Sequence, residues 1–116
     1  MLVFCVNDGA VMDAWAEDQG VDKSGLITMM GDPTSSLTAS LGMTLEHPGP
    51  NGKGLVNRCK RFAAYVEDGV VKHIEVSEGP GPAGEEDPAG DDFPEATLAP
   101  SMLKLIKSLK RSKDEV

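Results

Sequence analysis

The sequence is poor in basic residues, in cysteine and in long apolar runs. Lys and Arg number 11 against 19 Asp and Glu, and the net charge at pH 7 is -8. Binding to a nucleic-acid backbone rests on clustered cations, so this balance argues against nucleic acid as a partner. No run approaches the roughly 18 apolar residues of a membrane span, and the first residues carry no signal-peptide pattern. We therefore expect no membrane span.

The two cysteines, Cys5 and Cys59, are 54 positions apart. This spacing matches neither the dense pattern of a secreted disulfide scaffold nor the paired pattern of a zinc site. His47 and His73 also lack a second ligand at metal-binding spacing. We expect free thiols in a reducing intracellular compartment, with no metal and no cofactor.

The pattern of apolar and turn residues predicts one small domain of alternating strands and helices. The order is a strand at 1–6, a helix capped by Asp8, a strand at 25–33, a helix starting at Asp32-Pro33, a loop at 43–54, a hairpin turning at 67–69, an acidic Gly/Pro-rich loop at 77–96 and a helix with Pro100 at its start. Strand-helix-strand followed by an antiparallel hairpin predicts an α/β fold of the thioredoxin type.

Helical spacing of apolar residues predicts one apolar face on each of three helices. The members are Val11, Ala14 and Trp15 on the first, Leu37 and Leu41 on the second, and Met102, Ile106 and Leu109 on the third. The acidic loop is too rich in Gly, Pro and carboxylates to form a packed element by itself, which favours a solvated insertion. A docking surface for a basic partner is the alternative.

Four motifs occur in an order and spacing that resembles the type II, atypical two-cysteine peroxiredoxins of the redoxin family. They are VNDGAVMDAW, GDPTSSLTASLGM, RCKRFAAYVEDGVVK and LAPSMLKLI, and the match runs from about residue 2 to about residue 106. The resemblance implies a thioredoxin-like fold with a central mixed sheet, a C-terminal hairpin and flanking helices. On this basis we assign 1–111 to a partial peroxiredoxin domain and 112–116 to a polar tail.

Members of this family reduce hydrogen peroxide and alkyl hydroperoxides through a peroxidatic cysteine, which thioredoxin, glutaredoxin or glutathione helps to restore. Their peroxidatic cysteine lies in a Pro-x-x-x-Thr-x-x-Cys motif that this sequence lacks; its one Pro-Thr pair, Pro33-Thr34, is followed by serines. We expect the chain to correspond to the last two thirds of such a protein and to be inactive alone. The alternative is a short, non-catalytic peroxiredoxin-like subunit that binds and is stabilised by a partner.

Arg61 aligns with the family's active-site arginine, which the resemblance places beside the peroxidatic sulfur and the peroxide oxygens. A fixed cation there favours the thiolate, and its planar donors can hold oxygens as the O–O bond breaks. The ordinary alternative is a strand-end arginine paired with a carboxylate such as Glu67.

Cys59 lies two positions before Arg61, and this cationic setting suggests a lowered pKa. Family members carry a small polar residue there, so packing is the alternative role. Plant-like members have a second redox cysteine at the position of Val3, and Cys5 lies on the same face of that strand. A substitute resolving role for Cys5 competes with core packing. Ala96 stands where animal members carry their resolving cysteine.

Val11, Trp15, Pro33 and Leu41 fall in regions that family members use for a side-by-side dimer. The resemblance therefore implies a homodimer, or a larger assembly that covers an exposed sheet. It also leaves the compartment open: the cytosol, or a chloroplast or mitochondrion if a targeting segment is missing.

Overall fold

The computed structural model describes residues 1–114, with side-chain environments for residues 1–111. The chain divides into two compact units, residues 1–59 and residues 60–116. Each unit contains two strands: the first unit has a parallel pair and the second an antiparallel pair. Both kinds of pairing expected of a mixed sheet are therefore present, in two separate ladders. None of the helices in the described residues is long and apolar enough to cross a membrane.

The first unit begins with β1 (Leu2–Cys5), α1 (Gly9–Asp18) and β2 (Thr28–Gly31). Strands β1 and β2 are parallel, with Leu2 opposite Thr28 and Cys5 opposite Gly31. The predicted Asp8 cap is confirmed, because its carboxylate accepts a hydrogen bond from the Val11 N–H at 2.9 Å. Gly31 permits a close approach: a β-carbon there would lie 2.5 Å from the Asn7 carbonyl oxygen.

The predicted apolar face of α1 is wrong in this structure. The buried residues of the helix are Met12, 1% exposed, and Ala16, 7% exposed, whereas Val11 and Trp15 are exposed. Met12 and Ala16 are at positions i and i+4, and so are Val11 and Trp15, so each pair lies on one side of the helix. Periodicity therefore identified the helix, while the packing of β2 against α1 selected the other side of it.

The unit continues with two short helices, α2 (Ser36–Ser40) and α3 (Pro48–Gly52). In α2 the buried residue is Thr38, and the predicted apolar pair, Leu37 and Leu41, is exposed. Helix α3 corrects the prediction of a loop at 43–54. Its Pro48 occupies the first helical position, where no N–H is needed, and the His47 ring nitrogen Nδ1 accepts a hydrogen bond from the Gly49 N–H at 3.0 Å.

The second unit consists of β3 (Arg61–Glu67), β4 (Val70–Ser77), the short 3-10 helix η1 (Glu95–Thr97) and α4 (Ala99–Asp114). The predicted hairpin is confirmed, with both turn residues, Asp68 and Gly69, at positive φ. The stripe predicted on α4 is confirmed at Met102, which is buried. The proposed tail at 112–116 overlaps the end of α4, and residues 115 and 116 lie outside the described part of the chain.

The acidic loop contains no strand and no helix before η1, but it is folded onto the second unit. Its Asp87 is 5% exposed and accepts hydrogen bonds from the N–H groups of Asp92 and Phe93 at 3.3 and 2.8 Å. Ser77, the last residue of β4, is 4% exposed and its hydroxyl contacts the Pro94 carbonyl and the Thr97 hydroxyl. The segment is thus held at a few buried points such as Asp87, while its other carboxylates are exposed; the solvated insertion and the docking surface both stay predictions.

Candidate functional site

Arg61 is the first residue of β3, where it lies opposite Ser77 of β4. Its guanidinium nitrogen Nη2 donates a hydrogen bond to Oδ1 of Asp91 at 3.1 Å. The Arg61 side chain is 44% exposed and that of Asp91 is 73% exposed. Within the described residues, Asp91 is the one carboxylate paired with Arg61, and this contact uses one of the five N–H donors of the guanidinium.

The backbone next to Asp91 explains how a loop residue reaches Arg61. Gly90 has φ +70°, and a β-carbon there would collide with the Ser77 carbonyl oxygen and lie 3.1 Å from Cδ of Arg61. Only glycine allows the loop to approach the end of β4 this closely. Asp87 then fixes the residues that follow through its two backbone hydrogen bonds.

The predicted Arg61–Glu67 pairing is wrong. Glu67 lies at the other end of β3, where its Oε2 accepts a hydrogen bond from the Tyr65 hydroxyl at 3.2 Å. A second loop carboxylate, Glu78, pairs with Lys60 at 2.9 Å. The two cations that open the second unit are thus both held by carboxylates of the acidic segment, a role that the sequence did not suggest for it.

Cys59 is half-buried and forms an isolated antiparallel bridge with Thr44. Burial raises the pKa of the Cys59 thiol, and the nearby charges of Cys5 and Asp32 raise it further. The hydrogen bond to Thr38 and the charge of Arg58 act in the opposite direction without cancelling this effect. The expected lowering of the Cys59 pKa is therefore wrong, and the thiol form is favoured.

The buried polar cluster beside Cys59 was missed by the sequence analysis. Asp32 is 5% exposed, and its carboxylate accepts hydrogen bonds from the N–H groups of Leu37 and Thr38 and from the Thr38 hydroxyl, at 3.2, 2.9 and 2.7 Å. Burial alone would raise the pKa of Asp32, but these hydrogen bonds outweigh it and hold the pKa below its ordinary value. The sequence signal was present, since an aspartate shortly before a helix is a capping residue.

Ser35, the residue before α2, adds strain to this segment. It adopts φ +61°, which is uncommon for a residue with a β-carbon, and it is 7% exposed. Asp32 rather than Ser35 supplies the hydrogen bonds at the start of the helix. The carboxylate that caps α2 thus belongs to Asp32, three residues before the N-cap residue Ser35.

Cys5 ends β1 and is half-buried. Its carbonyl oxygen accepts a hydrogen bond from the Asp32 N–H at 2.8 Å. The side of Cys5 that reaches the surface lines a groove with Val11 and Trp15. The resolving role suggested for this thiol stays a prediction.

The residues predicted to form a dimer surface are all exposed. Val11, Trp15 and Leu41 have 48, 38 and 45% of their surface accessible, and Pro33 is exposed as well. Their exposure leaves them available for such a contact. The dimer itself stays a prediction.

No three His, Cys, Asp or Glu side chains gather as metal ligands within the described residues. Nε2 of His73 lies 2.7 Å from Oε1 of Glu75, and the His47 side chain caps α3. The two histidines thus have local partners in different elements.

The strands and helices form a mixed α/β fold of the thioredoxin-like type, with both parallel and antiparallel strand pairing. The Redoxin family model matches residues 1–92. The chain therefore belongs to the redoxin family and is a peroxiredoxin-family protein. A crystal structure of reduced Prx3 in complex with hydrogen peroxide from Vibrio vulnificus superposes with a TM-score of 0.66 and 28% identity, over 91% of this chain and 54% of that one.

Two curated relatives show the same likeness in sequence. Peroxiredoxin-2E, chloroplastic, of Arabidopsis thaliana is 36% identical over 64% of this chain, and the match covers 30% of that protein. The hybrid peroxiredoxin hyPrx5 of Haemophilus influenzae is 32% identical over 91% of this chain and 38% of its own length. This chain thus spans only about a third of these curated relatives.

Proposed function

We propose that Arg61 belongs to the active site of a thiol-dependent peroxidase that reduces hydrogen peroxide and alkyl hydroperoxides. One observation carries the proposal: a half-exposed guanidinium at the start of β3 is held in place by Asp91 and keeps further donors free for a ligand. Planar N–H donors suit two adjacent oxygens, and a fixed positive charge stabilises a thiolate.

The reaction needs a peroxidatic thiol that neither cysteine of this chain supplies in the proposed mechanism. The raised pKa of Cys59 keeps it protonated, whereas attack on a peroxide requires a thiolate. The thiolate would attack one peroxide oxygen, so that an S–O bond forms as the O–O bond breaks, and the departing hydroxide or alkoxide would take up a proton to leave as water or an alcohol, with a sulfenic acid remaining on the cysteine. A thioredoxin-type protein or glutathione would then reduce the sulfenic acid through a disulfide.

We assign the peroxidatic thiol to a Pro-x-x-x-Thr-x-x-Cys segment outside these 116 residues. In this proposal the chain contributes Arg61, and the thiol and arginine act together only in a longer form. A homodimer through the surface of Val11, Trp15, Pro33 and Leu41 is part of the same proposal.

Peroxide consumption with dithiothreitol as reductant tests this assignment. The 116-residue chain should show no turnover above that of its Arg61→Ala variant, and a chain extended in frame by the sequence encoded upstream of Met1 should turn over. In the extended chain Arg61→Ala should abolish most of the activity, whereas Lys60→Ala removes a neighbouring cation and should leave most of it. Clear turnover by the 116-residue chain, or an upstream sequence without the motif, would contradict the proposal.

A further inference from the structure

The contact between Arg61 and Asp91 leaves hydrogen-bonding capacity on both partners. Nη2 of Arg61 donates to Oδ1 of Asp91 at 3.1 Å, and the guanidinium has further N–H donors beside this one. Among the described residues Asp91 makes this one hydrogen bond, so its second carboxylate oxygen, Oδ2, has no protein partner there. Because both side chains are well exposed, a small molecule from solution can reach N–H donors and a carboxylate acceptor side by side.

Backbone contacts on both sides of Asp91 fix its place in the loop. The two residues after it donate backbone hydrogen bonds to the buried carboxylate of Asp87 at 3.3 and 2.8 Å. Before it, Gly90 has φ +70° and approaches the Ser77 carbonyl oxygen so closely that a β-carbon would collide with it. The folded loop thus brings the Asp91 carboxylate to Arg61 without relying on the ion pair.

The two cations at this end of the second unit are each balanced by a carboxylate. Lys60 pairs with Glu78 at 2.9 Å, and Arg61 pairs with Asp91. In the proposed peroxidase the thiolate would be a second negative charge facing Arg61. An anionic ligand would therefore meet like charges a few ångströms away, whereas an uncharged ligand would not.

The same pair suits a hydroperoxide by its hydrogen bonds. A hydroperoxide has oxygens that accept from the free N–H donors of Arg61 and an O–H group that can donate to Oδ2 of Asp91. An anion such as sulfate has acceptors only, so it can satisfy Arg61 but places its own negative oxygens next to those of Asp91. The donors and the acceptor together favour an uncharged ligand that carries an O–H group.

We propose that Asp91 is a specificity-determining residue that excludes anions from Arg61 and selects uncharged hydroperoxides over hydroperoxides that carry a negative charge. The choice of substrate rests on the proposed peroxidase function. The exclusion of anions from Arg61 does not, and it can be measured on the 116-residue chain itself.

Sulfate is the probe for the 116-residue chain. Titration into isotope-labelled protein, followed by the NMR signals of the Arg61 side-chain N–H and the Gly90 amide, gives the sulfate Kd at Arg61. At low ionic strength Asp91→Asn should bind sulfate on the order of tenfold more tightly than wild type, since one like charge is removed at close range. Asp91→Glu keeps the charge and should bind as weakly as wild type.

Asp92→Asn is the matched control, because it removes the same charge from the next position of the loop. It should change the sulfate Kd by no more than about threefold, since its greater distance weakens the repulsion. The same spectra show whether each variant is folded, and Asp91→Ser offers a second neutral variant. Equal sulfate affinity in wild type and Asp91→Asn, or no sulfate-dependent shift at Arg61 in Asp91→Asn, would overturn the proposal.

The substrate class is tested in the chain extended upstream of Met1, with cumene hydroperoxide and its para-carboxylate as matched substrates. The ratio of kcat/KM for the carboxylate to that for the parent should rise about threefold in Asp91→Asn, and less at high salt. An unchanged ratio in an active extended chain would overturn the selection of substrate. Full activity of Arg61→Ala would contradict the proposed function instead, and the sulfate titration would still decide whether Asp91 excludes anions.

Discussion

Asp32 in the first unit and Arg61 in the second are both charged, and both are held by hydrogen bonds of similar length. Asp32 is buried and receives three donors from the start of α2, so its capacity is largely used within the protein. Arg61 is half-exposed and gives one donor to Asp91, so much of its capacity remains for a ligand. The difference teaches that a buried charge whose hydrogen bonds are all made within the protein is committed to structure, whereas a partly exposed charge with one partner stays accessible to solvent.

The largest effect should come from Arg61. In the longer form that we propose to reduce peroxide, Arg61→Ala should lower kcat/KM on the order of 100-fold, as the loss of one transition-state donor does elsewhere. Stability should change by less than about 1 kcal/mol because the ion pair is exposed. Steady-state kinetics and urea unfolding of the same preparations check both. A loss of stability with unchanged kcat/KM would show that Arg61 stabilises the fold and does not act on the peroxide.

Thr38→Val should act on stability. The variant keeps the shape but removes the fully buried hydroxyl that donates to Asp32, so the free energy of unfolding should fall by about 1 to 2 kcal/mol. Urea unfolding measures the change. Thr34→Val is the matched control, since Thr34 is exposed and its hydroxyl contacts Ser36 only at 3.4 Å. Equal effects of the two variants would show that the Asp32 cluster does not stabilise the first unit.

Lowering the pH should destabilise the first unit through protonation of Asp32. Because the folded pKa of Asp32 lies below its ordinary value of 3.8, its contribution to stability is present above that value. The contribution is lost as the pH falls through the lower, folded pKa. Thermal unfolding from pH 6 down to acid should therefore show a steeper loss in wild type than in Thr38→Val. Parallel curves would mean that the Thr38 hydroxyl does not hold the Asp32 charge.

The smallest effect should come from Asp91→Asn. Both side chains of the Arg61–Asp91 pair are well exposed, so the free energy of unfolding should change by less than about 0.5 kcal/mol, and less still at high salt. Asp92→Asn removes the same charge from the same loop and serves as control. A loss several times larger in Asp91→Asn than in Asp92→Asn would mean that the loop depends on this ion pair.

The features that the sequence predicted correctly are those with local causes. Asp68-Gly69 adopts positive φ between two β-prone runs, and Asp8 caps the helix that follows it within three residues. The feature predicted wrongly in α1 depended on tertiary packing: the helix contacts β2, Met12 and Ala16 are buried, and the equally spaced Val11 and Trp15 are exposed.

At the candidate site, too, contacts with residues far away in the sequence decided what the local pattern did not predict. The resemblance of the motif around Arg61 singled out this residue, and the alternative to a catalytic role was a pairing with a carboxylate such as Glu67 on its own strand. Asp91 takes that place from 30 positions away, because Gly90 and Asp87 fold the loop toward the end of β4. The electropositive neighbours of Cys59 in sequence suggested a reactive thiol. The buried surroundings of that thiol outweigh them.

The sequence by itself determined the family, the order of the strands and of the longer helices, and the hairpin turn. These follow from short motifs whose hydrogen bonds and dihedral preferences lie within a few residues. Only the tertiary structure decided which helix faces are buried, which carboxylate holds Arg61 and that burial raises the pKa of the Cys59 thiol. These depend on desolvation and on contacts between segments far apart in the chain, which local patterns do not encode.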